Sequence, residues 1–456
     1  MSARVLDRQR SEYRGARLAP RILGPIAIVA LIVALAVIWV IGRPANVPTA
    51  RFIGQLVGAE GVLLMSMGLV LISTLQWVER WFNGIDHAAY WHRAVTIAGT
   101  TLVAVHAGVT SNPRKTSLGA DLGVIGLTGL IVLVVWAIAP RWPSFTPKRL
   151  RPWILEGMNT RPVRFLSRTV MGYGFWRFFH RFTGLFVAIG FAHGLIDGTV
   201  FGSQALRWTY IVVAGAGLAF YIYRELLARR FAHMLDYQVE SVRPIDATTV
   251  EISLKPLGQP LDYKPGQFAI VYLEAKDGWH RHPFTITSAP HESNVRFAVK
   301  ALGDFTSGIS TMVEPGMPAV ISRPHGDFDY RRGTERQIWI AGGVGITPIL
   351  SWLRSASPGQ LPRHVDLFYT SRGPAAYSAE LRELAARHGS VRPHIIDTSS
   401  QSSLTPEQVL DTVGGEPRTL SVFMCGPEQL VTSFHKAMLK AGVKPANIHR
   451  EYFNLR

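Results

Sequence analysis

At 456 residues the chain has room for two or three domains, and 48% hydrophobic with only 17% charged residues is apolar for a soluble protein, which places part of it in lipid. A net charge of +17 would suit a nucleic-acid partner if the basic residues formed a stripe, and they do not. The single cysteine, Cys425, excludes a disulfide framework and any cysteine-ligated iron–sulfur cluster within the chain.

In chain order, Arg4, Arg8, Arg10, Arg14, Arg17 and Arg21 precede the first of six apolar runs of spanning length. These runs are Ile22–Ile41, Phe52–Leu75, Ala89–Val109, Leu122–Ala139, Trp176–Gly198 and Trp208–Leu227. The first is too long for a signal-peptide core and is read as retained. Lys148, Arg149, Arg151, Arg161, Arg164 and Arg168 fill one connection, so the positive-inside rule puts both termini in the cytosol. A multi-pass protein of a bacterial cytoplasmic membrane is expected. After about Arg230 short alternating strands with turn signals predict a small antiparallel β-barrel. From about Arg336 apolar strands alternate with helical segments, which predicts a parallel α/β sheet. No internal repeat stands out. The expected domains are a basic tail (1–21), a six-helix transmembrane bundle (22–230), a β-barrel (231–332) and an α/β domain (333–456).

Ionisable residues inside a membrane span mark function. His92 and His106 lie fourteen residues apart on the third span, and His180 and His193 thirteen apart on the fifth. At about 1.5 Å per residue each pair is roughly 20 Å apart along its axis, room for two stacked porphyrins. The topology pairs His92 with His180 near the cytosol and His106 with His193 near the outside. Two b-type haems with two axial imidazoles each are expected, against the plainer reading of four histidines hydrogen-bonded between helices. Thirteen residues miss the same helix face by roughly 140°, so the fifth span must be distorted, with Gly184 and Gly190 as the candidate positions. Arg93 and Arg181 follow the inner histidines as propionate partners or as interfacial anchors; His87 reads as a surface residue.

In the barrel segment, His282-Pro283-Phe284-Thr285-Ile286-Thr287-Ser288 offers hydroxyls and amides beside an aromatic ring, a place for a flavin edge. Lys300, Gly303 and Thr306 offer a cation, a close backbone and a hydroxyl to a pyrophosphate. Then comes Ala341-Gly342-Gly343-Val344-Gly345-Ile346-Thr347-Pro348, a glycine-rich strand-to-helix turn in which Thr347 is placed to cap and Pro348 fits the first turn. Its spacing is not G-x-G-x-x-G. Ser371 and Arg372 follow the next strand, where a 2′-phosphate would be met, so NADPH is favoured over NADH. Cys425-Gly426-Pro427 closes a later strand; its thiol either lies near a nicotinamide or is simply buried.

Taken together, the histidine spacings, HPFTITS, GGVGITP, CGP and the terminal Glu451-Tyr452-Phe453 resemble, in the same order, the superfamily of ferric reductases and NADPH oxidases, over about residues 50–456. The resemblance implies a ferredoxin-reductase-like FAD and NAD(P)H module on a six-helix haem domain. It implies that Phe453 covers the flavin and that Glu451 and Cys425 flank hydride transfer. Arg323 stands where the family commonly has glycine, and Asn454–Arg456 extend past the aromatic residue. The expected activity moves electrons from cytosolic NAD(P)H through FAD and two haems to an acceptor outside, a ferric chelate, with Arg114 and Lys115 in an outward loop. Superoxide production, donation to a periplasmic redox protein, and a membrane-anchored reductase without haem are the alternatives. No nucleic-acid partner is expected.

Overall fold

A computed structural model describes residues 19–73, 75–82, 84–110, 117–138, 173–227 and 234–451. The chain divides into two compact units, one of Leu18–Arg230 and one containing Phe231–Arg456.

The first unit is helical: α1 (Ala19–Ile41), α2 (Thr49–Leu71), α3 (Gln76–Phe82), α4 (Ile85–Thr110), α5 (Leu118–Ile138), α6 (Tyr173–His180), α7 (Thr183–Asp197) and α8 (Gln204–Ile222). Among the described residues five stretches are long and apolar enough to cross a membrane: Leu23–Ile41, Thr49–Leu71, Leu118–Ile138, Phe178–Asp197 and Gln204–Leu226. Val29, Val40, Val124 and Val212 are more than half exposed on them, as lipid-facing residues would be. Helix α4, the third expected span, is 26 residues long but is not among the five. His87, His92, Arg93, His106 and four threonines dilute its apolar residues. The short helix α3 had no counterpart in the sequence reading.

Two antiparallel helix pairs, α2 with α4 and α5 with α7, pack tightly through glycines. The first pair uses Gly54, Gly58 and Gly61; the second uses Gly119, Gly123 and Gly126. Both triplets have the spacing G-x₃-G-x₂-G, a short repeat that the sequence reading missed. The distortion required of the fifth span is present, but it lies at Arg181–Phe182 and not at the expected glycines. There α6 ends, and the Phe182 amide donates to the Phe179 carbonyl at 2.9 Å, a tightened turn. Gly184 instead makes room for the Tyr221 ring, and Gly190 lies against Gly126.

The second unit opens with six antiparallel strands: β1 (Met234–Pro244), β2 (Thr249–Pro256), β3 (Phe268–Ala275), β4 (Gly278–Thr285), β5 (Val295–Lys300) and β6 (Pro318–His325), with α9 (Asp304–Met312) between the last two. Their order is β4-β3-β6-β1-β2-β5, and a bridge between Ile286 and Phe297 joins the two edges into a barrel. Alternation buries Ile252, Leu254, Val271, Leu273, Phe297 and Ile321 inside it.

A parallel sheet follows, as expected: β7 (Arg336–Gly342), β8 (His364–Ser371), β9 (Val391–Asp397), β10 (Ser421–Cys425) and β11 (Ile448–Glu451), in the order β11-β10-β7-β8-β9. Helices α10 (Thr347–Ser355), α11 (Ser378–His388), α12 (Pro406–Val413) and α13 (Glu428–Lys440) connect the strands. Strand order reverses between β7 and β10, and ligands bind outside the carboxyl ends of strands at such a switch point. Continuous apolar strands such as Ile338–Ala341 and Val422–Cys425 are buried on both faces.

A buried ion cluster joins barrel and sheet. Arg354 makes a fork with Glu380, at 2.7 and 2.8 Å, and lies 3.8 Å from the buried Glu251 of β2. The Tyr377 hydroxyl donates to Glu251 at 3.0 Å. Tyr377, at φ 60, is the one non-glycine residue with positive φ among those described, and the Arg354 guanidinium lies over its ring. Burial acts to raise the Glu380 carboxyl, but the fork and charge of Arg354 outweigh it and hold it below its ordinary 4.5. A depressed folded-state value gives stability that is present above the unfolded carboxylate range and is lost as pH falls through the folded value. Thermal melts should therefore show wild type losing stability relative to Glu380→Gln as pH drops below 4.5, with the difference constant near neutrality.

Candidate functional site

A cleft of about 490 Å³ lies at the switch point, within the size range of ligand sites. Its walls include Lys300, Gly342, Gly343, Ser371, Arg372, Gly426 and Pro427. Residues far apart in sequence meet there because three neighbouring strands end in one row: Ala341 of β7 pairs with Cys425 of β10, which pairs with Glu451 of β11. The Gly342–Pro348 turn crosses directly over the Cys425–Gly426 backbone. A Cβ on Gly345 would collide with the Cys425 carbonyl oxygen, so this glycine serves packing and leaves Gly342 and Gly343 to line the cleft.

Several residues have different local roles from those expected. Thr347 is not a cap: it is the first residue of α10, and its hydroxyl donates back to the Val344 carbonyl at 2.9 Å. Pro348 sits in the first turn, as expected. Lys300 projects into the cleft, 3.4 Å from where a Gly343 Cβ would be. Thr306 caps α9, its hydroxyl accepting the Gly303 and Leu302 amides at 2.9 and 3.1 Å, so that oxygen is already engaged. Ser371 donates to the Gly373 carbonyl at 2.8 Å, and Asp397 accepts the Gly373 amide, which fixes the loop carrying Arg372. Hydrogen bonds from the Ser399 hydroxyl and amide, and then from Gly373, hold the Asp397 carboxyl below its usual range. Cys425 is fully buried.

On β4 the alternation turns His282 and Phe284 to one face, where His282 stacks on Phe305 at 4.9 Å, while Pro283 is exposed on the other. Thr285 stands across from Phe268, which in turn faces His325 of β6. The hydroxyls of Thr285 and Thr287 are buried and have no hydrogen-bond partner among the described residues. Such orphaned hydroxyls fit the polar edge of a bound ring. Ser288 is instead occupied, hydrogen-bonding the Tyr263 hydroxyl and the Arg296 amide. Gly326 brings the Glu451 carboxylate to the barrel: its absent Cβ would lie 3.5 Å from Glu451 Oε1. Phe453 lies outside the described residues, as do Arg114 and Lys115.

In the helical unit the four histidines form two pairs. His92 and His180 have ring centroids 6.3 Å apart, and His106 and His193 are 6.1 Å apart. With metal–nitrogen bonds of roughly 2.0 Å and about 1.1 Å from nitrogen to ring centre, two imidazoles sharing one iron have centroids about 6.2 Å apart. The Nδ1 atoms of His92, His106 and His193 donate to the carbonyls of Gly68, Gly54 and Gly119, at 2.9, 2.8 and 2.7 Å. A carbonyl only accepts, so each of these three rings carries a proton on Nδ1; on His106 the Thr110 hydroxyl lies 3.4 Å from the other nitrogen, Nε2. Missing side chains make the room: a Cβ on Gly58 would come within 2.7 Å of the His106 ring, and one on Gly123 within 2.9 Å of His193. His180 instead stacks on Trp176 at 4.8 Å, and its buried Nδ1 has no partner among the described residues. Arg181 pairs with Glu225 at 2.6 Å.

Family models match an FAD-binding domain at residues 234–337 and an oxidoreductase NAD-binding domain at residues 339–436. This chain carries an NAD(P)H- and FAD-dependent reductase module. Among its relatives is the carnitine monooxygenase reductase subunit of Escherichia coli, 26% identical over 48% of this chain and 68% of that protein. The propane 2-monooxygenase reductase component of Mycolicibacterium smegmatis is 28% identical over 42% of this chain and 60% of its own length. An NAD(P)H-flavin reductase of Aliivibrio fischeri is 28% identical over 34% of this chain and 70% of that protein. The chain thus spans 60 to 70% of these relatives. The residues that line the cleft and those of the β4 run fall within these two matched ranges. Gly345→Ala should push the turn off Cys425 and destabilise the module by about 1–3 kcal/mol, visible as a lower melting temperature of the full chain in detergent.

Proposed function

We propose that the chain moves electrons from cytosolic NAD(P)H through FAD and two b-type haems across a six-helix bundle to an acceptor outside the membrane, a ferric chelate. The observation that carries this reading is the pairing of four histidines in the helical unit, with ring centroids 6.3 and 6.1 Å apart, so that each pair would supply two imidazoles to one haem. FAD, when bound, accepts a two-electron hydride and releases single electrons suited to haem iron.

The residues have separable tasks. Gly342 and Gly343 let the backbone approach the dinucleotide phosphates, Lys300 supplies positive charge to them, and Arg372 supplies it to the 2′-phosphate of NADPH. Thr285 and Thr287 meet the flavin edge, and Cys425 and Glu451 flank the point of hydride transfer. His92 and His180 would hold the inner haem and His106 and His193 the outer one, and each haem would supply one-electron transfer toward the acceptor. Outward electron movement is favoured by about 2.3 kcal/mol for each 100 mV of inside-negative potential crossed.

The test is the reduced-minus-oxidised spectrum of detergent-purified protein after anaerobic NADPH, with haem and flavin counted per chain. Two b-type haems and one FAD, with haem reduced by NADPH, are expected. Flavin reduction without a haem signal would leave a membrane-anchored flavin reductase and overturn the transmembrane part. His106→Ala should remove the outer haem and spare flavin reduction. Arg372→Ala should raise KM for NADPH by roughly tenfold and change KM for NADH little, measured as initial rates with an artificial acceptor.

A further inference from the structure

Helix α10 carries a polar stripe that neither cofactor chemistry nor the apolar core explains. Thr347, Ser351 and Arg354 occupy positions i, i+4 and i+7, one face of the helix, and all three are buried, at 1, 0 and 8% exposure. Thr347 donates to a carbonyl of the turn before the helix, and Ser351 and Arg354 donate to two adjacent carbonyls of one barrel segment. The Thr347 hydroxyl reaches Val344 in the glycine-rich turn at 2.9 Å, the Ser351 hydroxyl reaches Ser288 at 2.8 Å, and Arg354 Nη1 reaches Thr287 at 2.7 Å. The helix that begins at the cleft therefore grips the end of the HPFTITS run at Ser288 and at Thr287 itself, the residue with the orphaned hydroxyl.

Arg354 is itself immobilised. Its remaining donors form the fork with Glu380, Glu251 lies 3.8 Å away, and the guanidinium packs on the Tyr377 ring. A guanidinium fixed on three sides, from β2, α11 and the Tyr377 loop, is a rigid reference point for the carbonyl it holds. Burial of a charge and a serine at this position costs desolvation, and a purely adhesive seam between two subdomains would be served as well by apolar side chains.

We propose that Ser351 and Arg354 are positioning residues for hydride transfer: through the single rigid helix α10 they set the flavin-binding strand against the nicotinamide-binding turn. This rests on the reading of the β4 run and the cleft as flavin and nicotinamide sites. The two reacting rings belong to different subdomains, the barrel and the parallel sheet, and hydride transfer requires them to stack within a few tenths of an ångström of one geometry. Misplacement by about 1 Å can cost on the order of a hundredfold in rate.

The experiment is anaerobic stopped-flow reduction of the full-length flavin-loaded protein over a series of NADPH concentrations, for wild type, Ser351→Ala, Arg354→Lys and Arg354→Met. Bound flavin per chain and the long-wavelength charge-transfer absorbance of stacked nicotinamide and flavin are measured in parallel. In Arg354→Met the limiting reduction rate should fall on the order of tenfold to a hundredfold, with a weaker charge-transfer band, near-normal flavin content and little change in NADPH affinity. Arg354→Lys keeps the charge but loses the fork and should recover only part of the rate. Ser351→Ala, which removes one hydroxyl and is the variant least apt to disturb folding, should lose severalfold in limiting rate. An unchanged limiting rate and charge-transfer band in flavin-loaded Ser351→Ala and Arg354→Lys would overturn the positioning role while leaving the reductase assignment intact. Wild-type protein that is not reduced by NADPH would overturn both.

Discussion

Where the His106 ring lies between α2 and α4, there is no space for a side chain on Gly58, and the carbonyl of Gly54 is close enough to take the ring's Nδ1 proton. An imidazole carried into an apolar bundle must have its ring proton satisfied, and glycine both leaves room for the ring and exposes the carbonyl that accepts that proton. The same solution recurs around His193 with Gly119 and Gly123. In the reductase module Gly345 does a related thing without any histidine, letting the nucleotide turn lie on the strand that ends in Cys425. Both units thus depend on backbone brought closer than any side chain would allow.

What was legible in the sequence followed from how local each signal is. Long apolar runs located the helices, and the 14-residue spacing on one helix gave the two histidine levels without any knowledge of neighbours. The glycine-rich turn after an apolar strand marked the cleft at the switch point, since strand, turn and helix are all contiguous there. Roles that depend on distant partners were not legible. Thr306 looked like a ligand donor and is a helix cap, because the amides it accepts come from its own turn. Ser288 looked like its neighbours in HPFTITS, but the barrel turns its hydroxyl toward Tyr263, twenty-five residues earlier.

The break in the fifth apolar run was legible in need and not in place. A 13-residue spacing cannot put His180 and His193 on one helix face, so some departure from regularity followed from geometry alone. Glycines were the natural suspects, yet here they are used for helix contact, and the turn falls at Arg181–Phe182 with no glycine or proline. Aromatic packing supplies the compensation: Phe175 and Phe179 pack on Trp136, and Phe182 on Phe178. The G-x₃-G-x₂-G repeat was visible in the letters, but six positions among 456 acquire meaning only once the helices are paired.

That break also separates two things a continuous helix would have tied together. His180 rides on a segment of eight residues held by its aromatic neighbours, whereas His193 rides on a helix clasped by the glycines of α5. A rotation or retilt of the short segment need not be transmitted to His193, while His92 and His106 stay tied to one another by the continuous helix α4. Sequence change among Trp136, Phe175, Trp176 and Phe179 therefore gives evolution a way to reorient the His180 ring without displacing His193.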